Sequence, residues 1–284
     1  MTGIIDCGGG TRGVYSAGIY DYLLENNIDF DYCLGISAGA ANLISFLAKQ
    51  NGRNKHFYTD YLQRKEYMSI GNIFKRGEYL NLDYIYSTLS NSDGEDPVDY
   101  EAFQQIKAKY FVAATNAKTG LPHYFSNEDV KKDDYSILKA SCALPFVCAA
   151  QQVQGEHYYD GGLAEPIPYM KAFNDGCTRL VVILTRPREY VRTMQPHMAL
   201  LTLALLKYPQ VLKAIKERHL KYNAAVEELK KLEADGTVLI AAPREISGMK
   251  TLTKDLQPIE KLYEFGYEDG QAIAAFSHQV LTTS

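Results

Sequence analysis

The segment "GIIDCGGGTRG", residues Gly3 to Gly13, decides the fold class. Its start, Gly3–Cys7, is typical of a short buried strand, and an apolar-periodic run opens at Gly13, so the segment predicts a strand, a glycine turn and a helix. A second predicted strand over Phe30–Gly35 and a small-residue helix over Ala38–Gln50 follow. This β-α-β-α alternation predicts an α/β fold with a largely parallel central sheet covered by helices on both faces.

The glycine turn fits two different chemistries. Gly8-x-Gly10-x-x-Gly13 matches the dinucleotide-binding fingerprint, in which backbone amides hold a pyrophosphate at a helix N-terminus. That fingerprint also needs an acidic residue about twenty residues further on, and either Asp29 or Asp31 meets the spacing. The same amides suit an oxyanion formed during acyl transfer. The loop alone therefore leaves a nucleotide-binding oxidoreductase and an acyl-transfer enzyme open.

The rest of the chain continues the alternation without a linker long enough to divide it. Lys109–Phe125 predicts a hairpin, and Arg179–Pro187 predicts a buried strand stopped by proline. Further predicted elements are helices and tyrosine-rich loops over Asn54–Leu89, one strand in "QVQGEHYYDGG", a last strand in "TVLIAAP" and a closing helix over Asp255–Val280. We predict a single domain over residues 1–284, with residues 188–284 as its helical C-terminal part.

A long helical zone over Met198–Leu232 is broken near Pro209 and begins with the apolar run "MALLTLALL". Such a run suits a lid or an interfacial helix that touches a membrane surface. A buried helix is the commoner role for such a run in a domain of this size, so we expect burial. Transient contact with a membrane surface stays open.

The composition is that of an ordinary globular protein, with 46% hydrophobic and 23% charged residues. A net charge of −4 with mixed signs along the chain argues against nucleic acid as a partner. No basic n-region precedes an apolar segment, and no apolar run approaches the roughly 18 residues that span a bilayer, so we expect a cytoplasmic protein. The cysteines are odd in number and lack CxxC spacing, which favours reduced thiols: Cys7, Cys33, Cys142, Cys148 and Cys177.

The second predicted strand runs directly into "GISAG", Gly35 to Gly39, at the start of the next helix. A serine on such a strand-to-helix turn adopts a strained backbone conformation, and glycines flank it because the strand and the helix approach closely. The turn exposes the hydroxyl in a cleft, and the helix N-terminus favours negative charge nearby. Ser37 is therefore the candidate nucleophile.

A serine hydroxyl needs a base to accept its proton. Asp160 in "YYDGG" is the better candidate, because it follows a β-rich run and the two glycines after it allow a sharp turn. A carboxylate near its reference pKa of about 3.9 is a weak base, so Asp160 needs partial desolvation and hydrogen-bond contact with Ser37. A serine, aspartate, histidine order could still use one of the six histidines: His56, His123, His157, His197, His219 and His278.

Four segments resemble, in this order, the motifs of the patatin-like phospholipase family: "GGGTRG" from Gly8, "GISAG" from Gly35, "ASCALPF" from Ala140 and "DGG" from Asp160. The resemblance covers roughly residues 3–187. It implies a three-layer α/β/α fold and calcium-independent hydrolysis of acyl esters, mostly of lipids. It also implies that no cofactor or metal is needed.

The resemblance assigns roles to individual residues. These roles are the nucleophile for Ser37, the base of a Ser-Asp dyad for Asp160, and the oxyanion loop for Gly8, Gly9, Gly10 and Arg12. Arg12 either positions the loop, for example by pairing with a carboxylate, or contacts a lipid phosphate through its donor fork. The family commonly has asparagines shortly after DGG, whereas this chain has Glu165 and Pro166 there.

The predicted function is therefore hydrolysis of a phospholipid or lysophospholipid acyl ester through an acyl-enzyme. A small-ester or acyl-thioester hydrolase would use the same dyad. A nucleotide-binding oxidoreductase or a catalytically silent lipid-binding protein would give Ser37 and Asp160 no catalytic role.

Overall fold

The first strand, β1 (Thr2–Asp6), lies inside an eight-stranded mixed sheet in this computed structural model. It pairs in parallel with β2 (Tyr32–Ile36) on one side and with β7 (Arg179–Ile183) on the other. β3 (Lys109–Asn116) and β8 (Val238–Ala241) extend the parallel core beyond β2 and β7. The predicted α/β fold is confirmed, and its parallel part consists of these five strands.

Three shorter strands add antiparallel pairs beside β3. They are β4 (Pro122–Ser126), β5 (Gln151–Val153) and β6 (Glu156–Asp160). The β2 strand pairs with one edge of β3 as far as Ala113, and β6 continues along the same edge from Ala114, while β4 occupies the other edge. This register places the carboxyl end of β6 directly beyond the carboxyl end of β2.

The segment "QVQGEHYYDGG" was predicted to form one strand, but it contains two. It forms the β5–β6 hairpin, because Gln154 and Gly155 both have positive φ angles, 50° and 85°, and reverse the chain between the two strands. The hairpin predicted over Lys109–Phe125 is confirmed as the β3–β4 pair.

Helices cover both faces of the sheet. They are α1 (Val14–Glu25), α2 (Ala38–Leu47), α3 (Arg53–Thr59), α4 (Ile70–Arg76), α5 (Tyr100–Gln104), α6 (Ser136–Cys142), α7 (Tyr169–Asn174), α8 (Met198–Ala204), α9 (Pro209–Ala234) and α10 (Leu256–His278), with a π-helical turn over Tyr84–Leu89 and short 3-10 turns over Gly10–Gly13, Tyr61–Gln63, Asn127–Asp129 and Gly161–Leu163. The structure describes residues 1–278. Residues 279 and 280 of the predicted closing helix, and the remainder of the predicted domain to residue 284, lie outside the described residues.

Two hydrophobic cores lie on opposite faces of the sheet, because successive strand residues point in opposite directions. Ile4 of β1 belongs to the core under α1, α2 and α10, and its neighbour Ile5 belongs to the core under α7 and α9. Cys33 and Leu34 of β2 divide between the two cores in the same way. The three-layer arrangement is therefore confirmed.

The C-terminal helix α10 packs tightly against α1. A Cβ atom on Gly18 would lie 2.1 Å from the carbonyl oxygen of Tyr263, so this crossing requires glycine. Hydroxyl groups bridge the two helices, since Tyr15 donates to Asp269 at 2.7 Å and Tyr263 donates to Asp21 at 2.8 Å. The C-terminal part of the chain is thus built into the same helical layer as the first helix.

The apolar run "MALLTLALL", residues 198–206, forms α8 and the turn after it. We expected this run to be a buried helix, and that expectation is wrong. Leu201 and Leu205 are buried, whereas Leu200, Leu203 and Leu206 are 57%, 67% and 69% exposed. The helix has only seven residues and packs through one narrow face, which leaves its other leucines in solvent. No helix within residues 1–278 is long and apolar enough to cross a membrane.

Candidate active site

Ser37 lies between the last residue of β2 and the first residue of α2. Its backbone angles, φ 56° and ψ −131°, belong to a region that costs a non-glycine residue about 1–3 kcal/mol. Ser141 of α6 holds this turn, because its hydroxyl accepts the Ser37 N–H at 2.7 Å and donates to the carbonyl of Ala113 at 2.6 Å. The strained turn is therefore tied directly to the central sheet.

The glycines around Ser37 are required by close packing. A Cβ atom on Gly39 would lie 2.5 Å from the Asp6 carboxylate, and one on Gly35 would lie 2.3 Å from the Cα of Ala40. Neither distance leaves room for a side chain. The prediction that the strand and the helix approach too closely here for anything but glycine is confirmed.

Asp160, the last residue of β6, reaches Ser37 through the register of β3. Ile36 pairs with Ala113 and Asp160 pairs with the next residue, Ala114, so the two strand ends meet. Ser37 is 7% exposed and Asp160 is 3% exposed. The sheet thus brings the two predicted residues together, and both side chains are largely buried.

The environment of Asp160 makes its carboxylate more basic than an exposed one. Burial raises the pKa of Asp160, and this effect outweighs the positive charge of Arg218 and the hydrogen bond with the Ser37 side chain, both of which lower it. The carboxylate also accepts the N–H of Gly162 at 2.9 Å, which fixes its orientation. Partial desolvation and contact with the serine are the two conditions for Asp160 to act as a base.

No histidine side chain that the structure describes hydrogen-bonds to Ser37 or Asp160. His197 lines the cavity that contains Ser37 but is exposed, and His157 is exposed beside Tyr208. Nor does the described part of the chain contain a group of three or more histidine, cysteine or acidic side chains that could hold a metal ion. Within the described part of the chain, the basic group beside the serine is therefore the Asp160 carboxylate.

The glycine loop after β1 has positive φ angles at Gly8, Gly9 and Gly10, of 60°, 147° and 62°. The Gly8 N–H donates to the Asp6 carboxylate at 2.9 Å, so this amide is already engaged. The amides of Gly9 and Gly10 have no acceptor among residues 1–278, and both glycines line the cavity that contains Ser37. Of the three predicted amide donors, those of Gly9 and Gly10 are thus the available ones.

A family model described as patatin-like phospholipase matches residues 7–173, more than half of the chain. The chain belongs to the patatin-like phospholipase family. The description of this family names a phospholipase. A second model, a domain of unknown function (DUF6363), matches residues 208–277.

Two individual comparisons extend this result. The chain is 30% identical to the uncharacterized protein YjjU of Escherichia coli (strain K12) over 191 residues, which are 66% of this chain and 53% of the relative. It is similar to the crystal structure of VipD from Legionella pneumophila, with a TM-score of 0.54 and 13% identity over 96% of this chain and 66% of that one. At that identity the similarity shows the fold alone. The chain spans about half the length of its curated relative.

The segment matched by the second model supplies residues to the patatin-like site. Thr251, between β8 and α10, accepts the N–H of Thr11 at 2.8 Å through its carbonyl oxygen, and a Cβ on Gly10 would lie 2.1 Å from that oxygen. The Thr251 hydroxyl is 3.4 Å from Nη1 of Arg12. Arg218 of α9 lies beside Asp160. No sequence signal pointed to Thr251, which contacts the glycine loop from the C-terminal part.

Arg12 in the patatin-like "GGGTRG" motif has no carboxylate within 4.0 Å in the part of the chain that the structure describes. The suggested carboxylate pair is therefore wrong, and the contact with Thr251 takes its place. After the DGG motif, Glu165 accepts a hydrogen bond from Tyr124 and Pro166 lines the Ser37 cavity, so the two departures from the family pattern have different environments.

The dinucleotide interpretation of the glycine loop is wrong for a topological reason. β1 and β2 are parallel, and the loop follows the carboxyl end of β1, whereas Asp29 and Asp31 precede the amino end of β2. Asp29 pairs with Lys49, and Asp31 accepts the N–H of Thr2 at 2.9 Å. Neither carboxylate reaches the edge of the sheet where a nucleotide on the loop would place its ribose.

Two cavities of this patatin-like site meet at Ser37. The larger one, about 460 Å³, contains Asp160, the glycine loop and several arginines. The narrower one, about 70 Å³, is lined mainly by apolar side chains of α2, α6 and the segment between α3 and α5. Gly10, Leu144 and Leu252 line both cavities together with Ser37. The serine therefore lies where an apolar cavity and a polar cavity join.

Proposed function

We propose that this patatin-like protein hydrolyses acyl esters of phospholipids or lysophospholipids through a Ser37–Asp160 dyad. The observation that supports this most is the position of a strained serine, with a buried carboxylate beside it, at the junction of an apolar and a cationic cavity. A lipid ester joins an apolar chain to a polar group, so its carbonyl would lie at the serine when each part occupies its own cavity.

The mechanism proposed for this site follows from the contacts of the two residues. Asp160 accepts the Ser37 proton as Oγ attacks the carbonyl carbon, and the resulting oxyanion is bound by the free amides of Gly9 and Gly10. Each such donor is worth about 2.7–4 kcal/mol in enzymes where it has been removed. Asp160 then gives the proton to the leaving alcohol, and a water molecule repeats the sequence on the acyl-enzyme.

A second candidate is a small-ester or acyl-thioester hydrolase that uses the same dyad. The narrowness of the apolar cavity, about 70 Å³, favours it, because a long acyl chain requires the lining side chains to move. The two candidates differ in the acyl length they prefer, which a substrate panel measures directly.

Lipid substrates are presented at a surface, and we propose that the exposed face of α8 makes transient contact with it. Leu200 and Leu203 face solvent, while Leu201 of the same helix lines the Ser37 cavity. Exposed leucines beside a cavity mouth suit insertion into the interfacial region of a lipid aggregate.

The test is hydrolysis of phospholipids, lysophospholipids, short esters and acyl thioesters by the wild-type protein, with products identified by mass spectrometry. We expect Ser37→Ala to reduce turnover to background and Asp160→Asn to reduce kcat by about 10²–10⁴-fold, as for loss of a general base. Circular dichroism checks that both variants are folded. A fluorophosphonate probe should label wild type and not Ser37→Ala.

Ser277→Ala serves as the matched control, because Ser277 lines neither cavity and should retain full activity. Ester hydrolysis that persists in folded Ser37→Ala protein would contradict the dyad. Absence of any probe reaction in the wild type would favour a catalytically silent lipid-binding protein instead.

A further inference from the structure

Four arginines converge on the larger cavity from three separate parts of the fold. The residues are Arg12 from the glycine loop, Arg186 and Arg192 from the segment after β7, and Arg218 from α9. Asp160 is the one carboxylate among the described residues that line this cavity. A protein with a net charge of −4 thus concentrates an excess of three positive charges around its candidate nucleophile.

Among the described residues, no carboxylate other than Asp160 lines the cavity as a counter-ion for the cluster. None of the four guanidinium groups forms an ion pair within 4.0 Å in the part of the chain that the structure describes, and the Nε atoms of all four are buried without a hydrogen-bond partner. By contrast, five arginines elsewhere pair with carboxylates: Arg53, Arg64, Arg76, Arg188 and Arg244. Within the described residues, the absence of an ion pair therefore distinguishes the cavity arginines from these five.

The arginines repel one another, and loss of solvent contact adds to this effect at Arg12 and Arg218. Burial, and then repulsion from Arg186 and Arg192, lowers the pKa of Arg12 to about 9, and burial and Arg192 lower the pKa of Arg218 to about 10. Both values remain above neutrality, so the charges persist at physiological pH. Assembling buried like charges is costly unless an anion completes the site.

Two of the guanidinium groups pack against tyrosine rings and remain accessible to solvent. Arg186 lies 4.4 Å from the ring centre of Tyr190, and Arg192 lies 4.7 Å from that of Tyr222. Both arginines are only partly buried. Stacked guanidinium groups with free N–H donors are suited to bidentate contact with phosphate oxygens.

Resting on the function proposed above, we propose that this four-arginine cluster binds the dianionic phosphate of a phosphomonoester headgroup, which makes a single-chain lysophospholipid of the lysophosphatidic acid class the preferred substrate. A phosphomonoester offers two negative charges, whereas a choline or ethanolamine headgroup would add a cation next to four others. Among the described residues, one apolar cavity opens at Ser37, and it can take one acyl chain once its lining side chains move.

The first test compares two lysolipids with the same oleoyl chain, lysophosphatidic acid and lysophosphatidylcholine. The wild type should have the higher kcat/KM for lysophosphatidic acid, and Arg186→Gln should lower the ratio of the two values by about ten- to a hundredfold, the effect of losing a charged hydrogen bond. Arg186 is chosen because it is not among the main charges that shift the pKa of Asp160, which are those of Arg218 and Arg192. Arg188→Gln, an exposed arginine paired with Glu233, is the matched control and should leave the ratio unchanged.

The second test measures binding without turnover, by calorimetry on Ser37→Ala protein. Lysophosphatidic acid should bind more tightly than lysophosphatidylcholine, and Arg186→Gln in the same background should remove the difference. Inorganic phosphate and glycerol phosphate are titrated in parallel. If either binds as tightly as the lysolipid, the cluster is a site for a free phosphate, which overturns the lipid assignment.

The two proposals fail in different ways. Ser37-dependent hydrolysis of both lysolipids at a ratio that Arg186→Gln does not change would overturn the headgroup proposal and leave the hydrolase standing. Arginine-dependent binding of lysophosphatidic acid by a wild-type protein that cleaves no ester would overturn the hydrolase and leave the phosphate site standing.

Discussion

Replacing Asp6 by asparagine is expected to stabilise the protein at neutral and alkaline pH, although Asp6 lies under the oxyanion loop. The side chain is fully buried at the end of β1, where it accepts the Gly8 N–H at 2.9 Å and the Tyr20 hydroxyl at 3.2 Å. Burial raises the pKa of Asp6 from 3.8 to about 6, against the smaller opposite effect of hydrogen bonds from Ser16, Gly8 and Tyr20.

The sign of the effect follows from proton binding. Between about pH 4 and about pH 6 the folded protein holds the Asp6 proton more tightly than the unfolded chain, so the free energy of unfolding decreases as the pH rises through this range. At 1.36 kcal/mol per pKa unit, the gap between 3.8 and about 6 corresponds to about 3 kcal/mol. Asparagine never ionises and keeps an acceptor for the Gly8 amide, so the variant avoids this loss.

The assay is urea unfolding of wild type and Asp6→Asn, followed by circular dichroism across this pH range and above it. The difference in unfolding free energy should grow with pH by up to about 3 kcal/mol and then level off above about pH 7. Asp31→Asn, an exposed carboxylate at the other end of the sheet, controls for the loss of one negative charge. A difference that stays constant with pH, or a variant less stable at alkaline pH, would refute the reasoning.

Three further predictions concern the site. Ser141→Ala should lower the unfolding free energy by about 1–3 kcal/mol and reduce hydrolysis, because it removes the hydroxyl that bonds the buried Ser37 N–H and the Ala113 carbonyl. Urea unfolding and kcat for a short ester measure the two effects, and a variant with unchanged stability and activity would contradict them. Arg218→Gln should shift the acidic limb of the kcat/KM profile for a neutral ester to higher pH, since Arg218 lowers the pKa of Asp160 and the base must be ionised; a shift to lower pH would show that the sign is wrong. The double variant Leu200→Ser, Leu203→Ser should float less with lipid vesicles than the wild type. Leu220→Ser, which changes a similarly exposed leucine on α9, should float like the wild type. Equal flotation of the wild type and both variants would argue against α8 as the contact.

Elements with a strong local signal were predictable from the sequence. The helix predicted to follow the glycine turn forms as α1 directly after Gly13, because its apolar residues recur at helical spacing. The turn at Ser37 was predictable because only glycine tolerates the contacts at Gly35 and Gly39. The seven-residue α8 was misjudged, since an apolar run gives no information on which of its faces finds a partner.

Features built from distant segments carried weaker signals. The arginine cluster joins residues from position 12 to position 218, and of its members only Arg186 and Arg192 lie within ten residues of each other. One signal was nevertheless present: Arg186 and Arg192 follow a buried strand, and ligands of α/β sheets bind beyond the carboxyl ends of strands. Thr251 offered no comparable signal, because a threonine in a loop contacts the oxyanion loop only through the tertiary fold.

The basicity of Asp160 depends on two opposed influences, and the occupant of the arginine cluster would change their balance. Burial raises the pKa of the carboxylate, whereas Arg218 and Arg192 lower it by a smaller amount, so the arginines reduce the basicity that burial confers. A phosphate dianion among the arginines would cancel part of their positive field and raise the pKa of Asp160 further. The carboxylate would then be most basic when a headgroup is in place. Headgroup recognition and activation of Ser37 would thus be coupled through one set of charges, which gives the unpaired arginines a role in the reaction as well as in binding.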